Sequence, residues 1–195
     1  MIAEARLEDG TEAIIWPLLP EDREAVREGY ERLSPDARYH RFLASVPHLT
    51  DALLDHLVDG VDGVDHVALA LVSIDADHVG VPVGVARVIR YEQQPTAADV
   101  AVTVFDEWQG RGVATALLDE LMRQRPAGVT ELVTTITADN EASLAMLRRL
   151  GTVSVTPAGI NHLDVVVDLT TPPPGRAPDA TASPEPPEEP EAGDL

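Results

Sequence analysis

The chain has 195 residues, enough for one well-buried unit and too few for two large ones. Its apolar fraction of 44% excludes wholesale disorder, and its net charge of −20 repels nucleic-acid phosphates and anionic membranes. It has no Cys, which removes disulfides, thiolate metal sites and a Cys nucleophile, and its 14 basic residues are all Arg, which removes the essential Lys of P-loop NTPases, pyridoxal enzymes and protein kinases.

The first ten residues carry Glu4, Glu8 and Asp9 and no apolar run, so they do not read as a signal peptide. Nowhere is there an apolar stretch of about 18 residues that would span a bilayer, so a cytoplasmic location is expected. Residues 11–17 read as a first strand. Residues 20–33 read as a helix contacting the core through Leu19, Val26, Tyr30 and Leu33. Ser34 followed by Pro35 is an N-cap with proline in the first turn, opening a short helix through Phe42. Thr50 caps another helix ending near Gly60.

The period then changes. Residues 66–74 and 81–91 are β-rich runs joined by a hairpin connection at 75–80, and residues 97–105 form a third run. Residues 109–123 are helical, with an apolar stripe of Val113, Ala116, Leu117, Leu118 and Leu121. A strand at 132–137, a helix at 140–150 stopped by Gly151, and strands at 152–155 and 163–169 complete the order. Hairpins first and crossover helices later predict a mixed α/β fold: six or seven strands in a mostly antiparallel sheet, with helices on both faces. Residues 1–170 are expected to form the folded unit. Residues 171–195 hold eight prolines and six acids and are expected to be a disordered acidic tail.

The chemically informative stretch runs from Asp99 to Thr115, where a β-run feeds a Gly-rich turn that opens an amphipathic helix. The first helical turn has unpaired N–H groups and the positive end of the helix dipole, so it favours an anion. Gly110 and Gly112 allow close backbone approach, Ala114 keeps the inner face small and Arg111 adds positive charge. A diphosphate is the natural occupant. Three readings of this loop stand side by side: a tight turn with no ligand, a dinucleotide loop, and a coenzyme loop. The dinucleotide loop would need a third glycine where Thr115 stands.

Gln109-x-x-Gly112-x-Ala114 resembles the pyrophosphate loop of GNAT N-acetyltransferases. Its neighbours agree: Asp106-Glu107-Trp108 precedes it, and a segment from Ala138 through Asn140 and Ser143 to Leu150-Gly151 follows, similar to the Asn-containing helix of that family. Upstream, Leu33-Ser34-Pro35-x-x-x-Tyr39-x-Arg41-Phe42 resembles a signature of the GNAT domain in Pat-type protein-lysine acetyltransferases. The resemblance implies the GNAT fold and transfer of an acetyl group from acetyl-CoA to an amine by direct attack in a ternary complex, with a protein lysine as favoured acceptor. A small-molecule amine, or an acyl-CoA-binding regulatory module without turnover, are the alternatives.

The resemblance also implies a site. Val102, Val104, Gln109, Gly110, Arg111, Gly112, Val113, Ala114 and Thr115 would hold the coenzyme, with Asn140 and Ser143 beside its pantetheine arm. Asn140 is equally a plain helix cap. A lysine amine is almost wholly protonated at neutral pH, so a base is needed, and Asp99 is the candidate, with Glu107 in reserve. Asp99 reads equally well as a solvent-facing acid. Many relatives place a Tyr general acid seven residues after the Asn; here that position is Leu147, which cannot donate. The six His show no paired metal-ligand spacing, and no metal is expected. Trp108 reads as a packing anchor. The acidity suits a cationic acceptor and equally suits mere solubility.

Overall fold

The computed structural model describes residues 2–74 and 80–171. They form one eight-stranded sheet in the order β1-β2-β3-β4-β5-β6-β8-β7: β1 (Ala3–Arg6), β2 (Glu12–Pro17), β3 (His66–Ile74), β4 (Gly80–Tyr91), β5 (Gln94–Val104), β6 (Glu131–Thr137), β7 (Thr152–Pro157) and β8 (His162–Asp168). Every neighbouring pair is antiparallel except β5 and β6. Five α-helices accompany them: α1 (Arg23–Glu31), α2 (Pro35–Phe42), α3 (Asp51–Leu54), α4 (Val113–Gln124) and α5 (Glu141–Arg148).

The class is the one expected, with one strand beyond the expected six or seven. The addition is β1, whose four residues mix charge with alanine and carry no strand pattern of their own; pairing with β2 makes them a strand. The helix expected over 20–33 is a 3-10 turn (Pro20–Asp22) leading into α1, and Leu19 is 52% exposed and makes no core contact of the kind expected. The helix expected to begin at Gln109 begins at Val113, because Gly110 and Gly112 take positive φ (71° and 85°) that breaks the helical path. The expected hairpin connection at 75–79 and the tail from 172 lie outside the described residues.

Strand alternation divides the core into two layers. On β3, Val67, Leu69 and Leu71 face the layer of α4 and α5, packed with Leu117, Leu121, Leu132 and Leu147. Ala68 and Ala70 face the other layer, with Tyr30 and Leu33 from the α1 region and Leu54, Leu57 and Val58 from α3 and the π-helical turn that follows it. On β5 the same alternation sends Ala98 and Val100 toward α4, and Asp99, Ala101 and Thr103 toward α1 and α2. Ser34 and Thr50 cap α2 and α3 as their sequence suggested, accepting from Ala37 and Leu53 amides. Gly151 serves a contact: a β-carbon there would lie 2.1 Å from the Asp168 carbonyl oxygen, so only glycine lets the chain leave α5 across β8.

Candidate functional site

The site begins where the sheet divides. β5 and β6 pair only at Ala97 with Glu131 and Ala98 with Leu132, and then separate. Asp99 is the first residue past the fork. A cleft opens beyond it and passes through the sheet, so that α2 from one layer and α4 and α5 from the other all contribute walls. One chamber, of about 400 Å³, is lined by Asp99, Tyr91, Thr134 and Leu147 among others. A second, of about 520 Å³, runs along Val102 to Val104 toward the Gly-rich loop. His40, Arg41, Val102, Asn140, Ser143 and Met146 line both, so the two are one continuous cleft.

At its outer end the loop presents main-chain donors. None of the six backbone N–H groups from Gly110 to Thr115 meets an acceptor among the described residues; the first helical bond is from the Ala116 amide to the Gly112 carbonyl, at 3.0 Å. Three of these amides are at the head of a 12-residue helix, so their partial charges add to its dipole. Gly110 has no heavy atom within 4 Å of where a β-carbon would stand, leaving the loop open to a ligand's close approach. An anion with several oxygens, such as a linked pair of phosphates, fits this cradle.

The charge near the cradle comes from a residue that the sequence did not single out. Arg111 does not line the cleft: its guanidinium stacks on Trp108 at 3.9 Å and bonds Asp9, whose carboxyl is held at about 2 by the Thr11 amide and hydroxyl and then by Arg111. Its carbonyl accepts from the Glu8 amide at 3.1 Å. Arg149, from the end of α5, lines the cleft instead and donates to the Thr115 hydroxyl at 3.1 Å. It is the C-cap of α5, a place where a basic residue is ordinary, and that hides it. Val113 is 1% exposed, so its side chain belongs to the core and its backbone to the loop. The Gln109 amide nitrogen donates to the Val104 carbonyl at 3.4 Å, tying the loop to the end of β5.

Asn140 is the N-cap of α5; its Oδ1 accepts from the Ser143 amide at 3.0 Å, and both residues line the cleft. Leu147 is 2% exposed and adds hydrocarbon to the inner wall. Glu107 is away from the cleft, exposed and paired with Arg32 at 2.7 Å. Asp99 is half-buried, and burial raises its carboxyl above the ordinary Asp value, against the opposing pull of the Thr134 hydroxyl, Arg41 and Arg87. A carboxylate that gives up water in this way becomes a better proton acceptor. Among the described residues no group of three or more His, Cys, Asp or Glu is arranged to hold a metal, and no helix is long and apolar enough to cross a membrane.

Comparison with known proteins shows the family of the fold. The sequence profile of the acetyltransferase (GNAT) family matches residues 23–152. An acetyltransferase of Pseudomonas aeruginosa is 34% identical over 147 residues, covering 74% of this chain and 77% of that protein. The acetyltransferase Pat of Mycolicibacterium smegmatis is 34% identical over 140 residues, 71% of this chain and 40% of that longer protein. The crystal structure of the GNAT domain of S. lividans PAT superposes with a TM-score of 0.73 at 27% identity, covering 86% of this chain and 97% of that one.

Proposed function

The chain belongs to the acetyltransferase (GNAT) family and is an acetyl-CoA-dependent acyltransferase; from that premise we propose that it acetylates a protein lysine by direct attack in a ternary complex, with Asp99 as the base. The observation that carries this reading is the continuous cleft joining six unclaimed amides to a half-buried carboxylate at the fork of the sheet. In this reading the Gly110–Thr115 amides and Arg149 hold the coenzyme's diphosphate. Val102 and Val104, with Asn140 and Ser143 opposite, line the path of its pantetheine arm. Gln109 braces the loop without touching the reacting atoms.

The acceptor approaches from the α1 and α2 side, the side to which Asp99 points. Its ammonium proton passes to Asp99, directly or through one water, and the freed lone pair attacks the thioester carbon. Support for a lysine acceptor comes from the 33–42 segment and the likeness to Pat. Calorimetric titration with coenzyme A, with amide protection read at Gly110–Thr115, tests the coenzyme site. Thiol release from acetyl-CoA, measured against lysine peptides and small amines, tests the acceptor. Saturable binding with turnover confined to the peptides is expected, and turnover confined to small amines would replace the lysine.

A further inference from the structure

Arg41 is a cation that the fold does not answer. It projects from α2 into the cleft and lines both chambers, and it also borders a smaller apolar cavity of about 100 Å³ between α1 and the sheet. The other arginines of this layer are well supplied with partners. Arg87 donates to the Leu57 carbonyl at 2.7 Å, Arg38 to the carbonyls of Leu33, Pro47 and Glu31, and Arg23 and Arg27 bind Asp51. Arg41 has only the Phe42 ring beneath it, 4.8 Å from guanidinium carbon to centroid, and no hydrogen bond or ion pair to any described residue.

Arg41 is half-buried in the cleft wall; that burial lowers its pKa, and a guanidinium remains protonated under such pressure, so the cleft holds a positive charge with part of its hydration removed. The groups that share its surroundings are Asp99 from β5, Arg87 from β4, Tyr30 from α1 and its neighbour His40, which lies 3.9 Å from Asp139 at the start of the α5 segment. Asp99 is close enough to be felt and too far to form an ion pair. A desolvated charge without a partner is costly, and the cost is recovered when an anion forms beside it.

Acetyl transfer forms such an anion. With the diphosphate on the loop and the acceptor at Asp99, the thioester occupies the stretch common to both chambers, which is where Arg41 stands. Opposite it, α5 offers Met146 and Leu147, neither of which can give a proton, and Ser143, whose hydroxyl is a far weaker acid than the tyrosine of many relatives. We propose that Arg41 stabilises the departing thiolate of coenzyme A by charge, in place of a general acid on α5.

This rests on the acetyl-transfer reading above. In the step, the amine nitrogen bonds to the acetyl carbon and the carbon–sulfur bond breaks. The electron pair of that bond stays on sulfur as thiolate, the second nitrogen proton leaves through Asp99 once the carboxylate has passed the ammonium's first proton to solvent, and Arg41 keeps all its protons. A fixed charge facing the atom where negative charge develops lowers the barrier without any reorganisation at the moment of reaction.

The product complex gives a direct test, because the chain has no Cys and the only thiol present is the coenzyme's. The ultraviolet absorbance of the thiolate is titrated with pH in the coenzyme A complex, with the desulfo-coenzyme complex subtracted to remove the tyrosines. The bound thiol is expected to ionise at least about one unit below its ordinary value near 8.5, a tenfold gain in thiolate. Arg41→Met should return it to that value and lower kcat about tenfold or more, with little change in desulfo-coenzyme affinity. Arg41→Lys should retain part of both effects. A wild-type midpoint at or above the free thiol's overturns the proposal even if a variant fails to fold, and so does a midpoint that Arg41→Met leaves in place. Tight binding with an unshifted thiol would sink this proposal alone, whereas absence of coenzyme binding would remove the acetyl-transfer reading with it.

Discussion

The α-carbon of Gly112 rests against Glu8: a β-carbon there would stand 2.8 Å from Glu8 Cγ and 3.3 Å from the Glu8 nitrogen. The turn between β1 and β2 therefore presses on the Gly-rich loop from behind, and the Glu8 amide locks it through the Arg111 carbonyl. Gly112 is doubly constrained, since its φ of 85° is also one that side chains rarely adopt. Gly112→Val should weaken coenzyme A binding at least about tenfold, or 1.4 kcal/mol, by calorimetry. Adding Glu8→Ala removes the collision with the Glu8 side chain and leaves the tight approach to the Glu8 nitrogen and the backbone strain, so the double variant should recover part of the loss and never all of it.

Asp99 supplies a pH test. Its folded-state pKa is raised, chiefly by burial, so the stability it contributes is full at low pH and is lost as pH climbs through the raised value. Asp99→Asn cannot ionise, and should melt above the wild type at neutral pH, with the gap closing below about pH 3.9. Its acetyl-transfer rate should fall about 10²–10⁴-fold while coenzyme affinity holds. A melting curve that shows no such convergence would place the carboxylate in water.

His66 makes the opposite case. It is 6% exposed, accepts from Arg87 at 3.3 Å and bonds the Gly60 carbonyl at 3.1 Å, so the neutral ring with its proton on Nδ1 fits the site. Burial, with the Arg87 charge second, pushes its pKa down to about 4. For a base with a depressed pKa, stability is present above the unfolded value near 6.5 and is lost as pH falls toward about 4. Chemical denaturation at stepped pH should show this loss in the wild type and a flatter profile in His66→Gln.

Asn140 has two jobs that substitution separates. Asn140→Ala removes the cap of α5 and should cost about 1 kcal/mol in thermal or denaturant unfolding. Asn140→Asp keeps an acceptor for the Ser143 amide, so it should retain stability; its new charge in the cleft should weaken coenzyme binding, as calorimetry would show.

Gly151→Ala should be among the most damaging single changes. The added carbon meets the Asp168 carbonyl oxygen at 2.1 Å, and backbone on both sides has little room to yield. A loss of about 3 kcal/mol in denaturant unfolding is expected.

Much of the fold was readable because it is written locally. A β-rich run gave β3 its bounds, Ser34 and Thr50 announced their helices, and the Leu117 to Leu121 stripe announced α4. The loop and Asn140 were legible for the same reason, being short motifs. What stayed hidden depends on residues far apart in the chain. Arg111 reads as a coenzyme cation until Asp9, 102 positions away, is found holding it. Arg149 and Arg41 stand in segments that resemble the family's, but nothing local gives them a role until the cleft places them on its walls. β1 carries no pattern and exists through pairing. Asp99 reads equally well as a base and as a solvent-facing acid until β5 and β6 part beside it.

That parting leaves an edge strand in the middle of a sheet. Unpaired strand margins ordinarily recruit a second chain, and proteins blunt them with charge, proline or a covering element. Here the margin of β5 beyond Ala98, free of a partner strand and met by the Thr134 and Gln109 side chains, is sunk between helices α2 and α5. A long foreign strand meets the cleft walls before it can zip up, while a slender thread can still lie alongside. The fold thus keeps a stretch of strand margin open to a slender ligand, as the proposed coenzyme path requires, without offering one to aggregation.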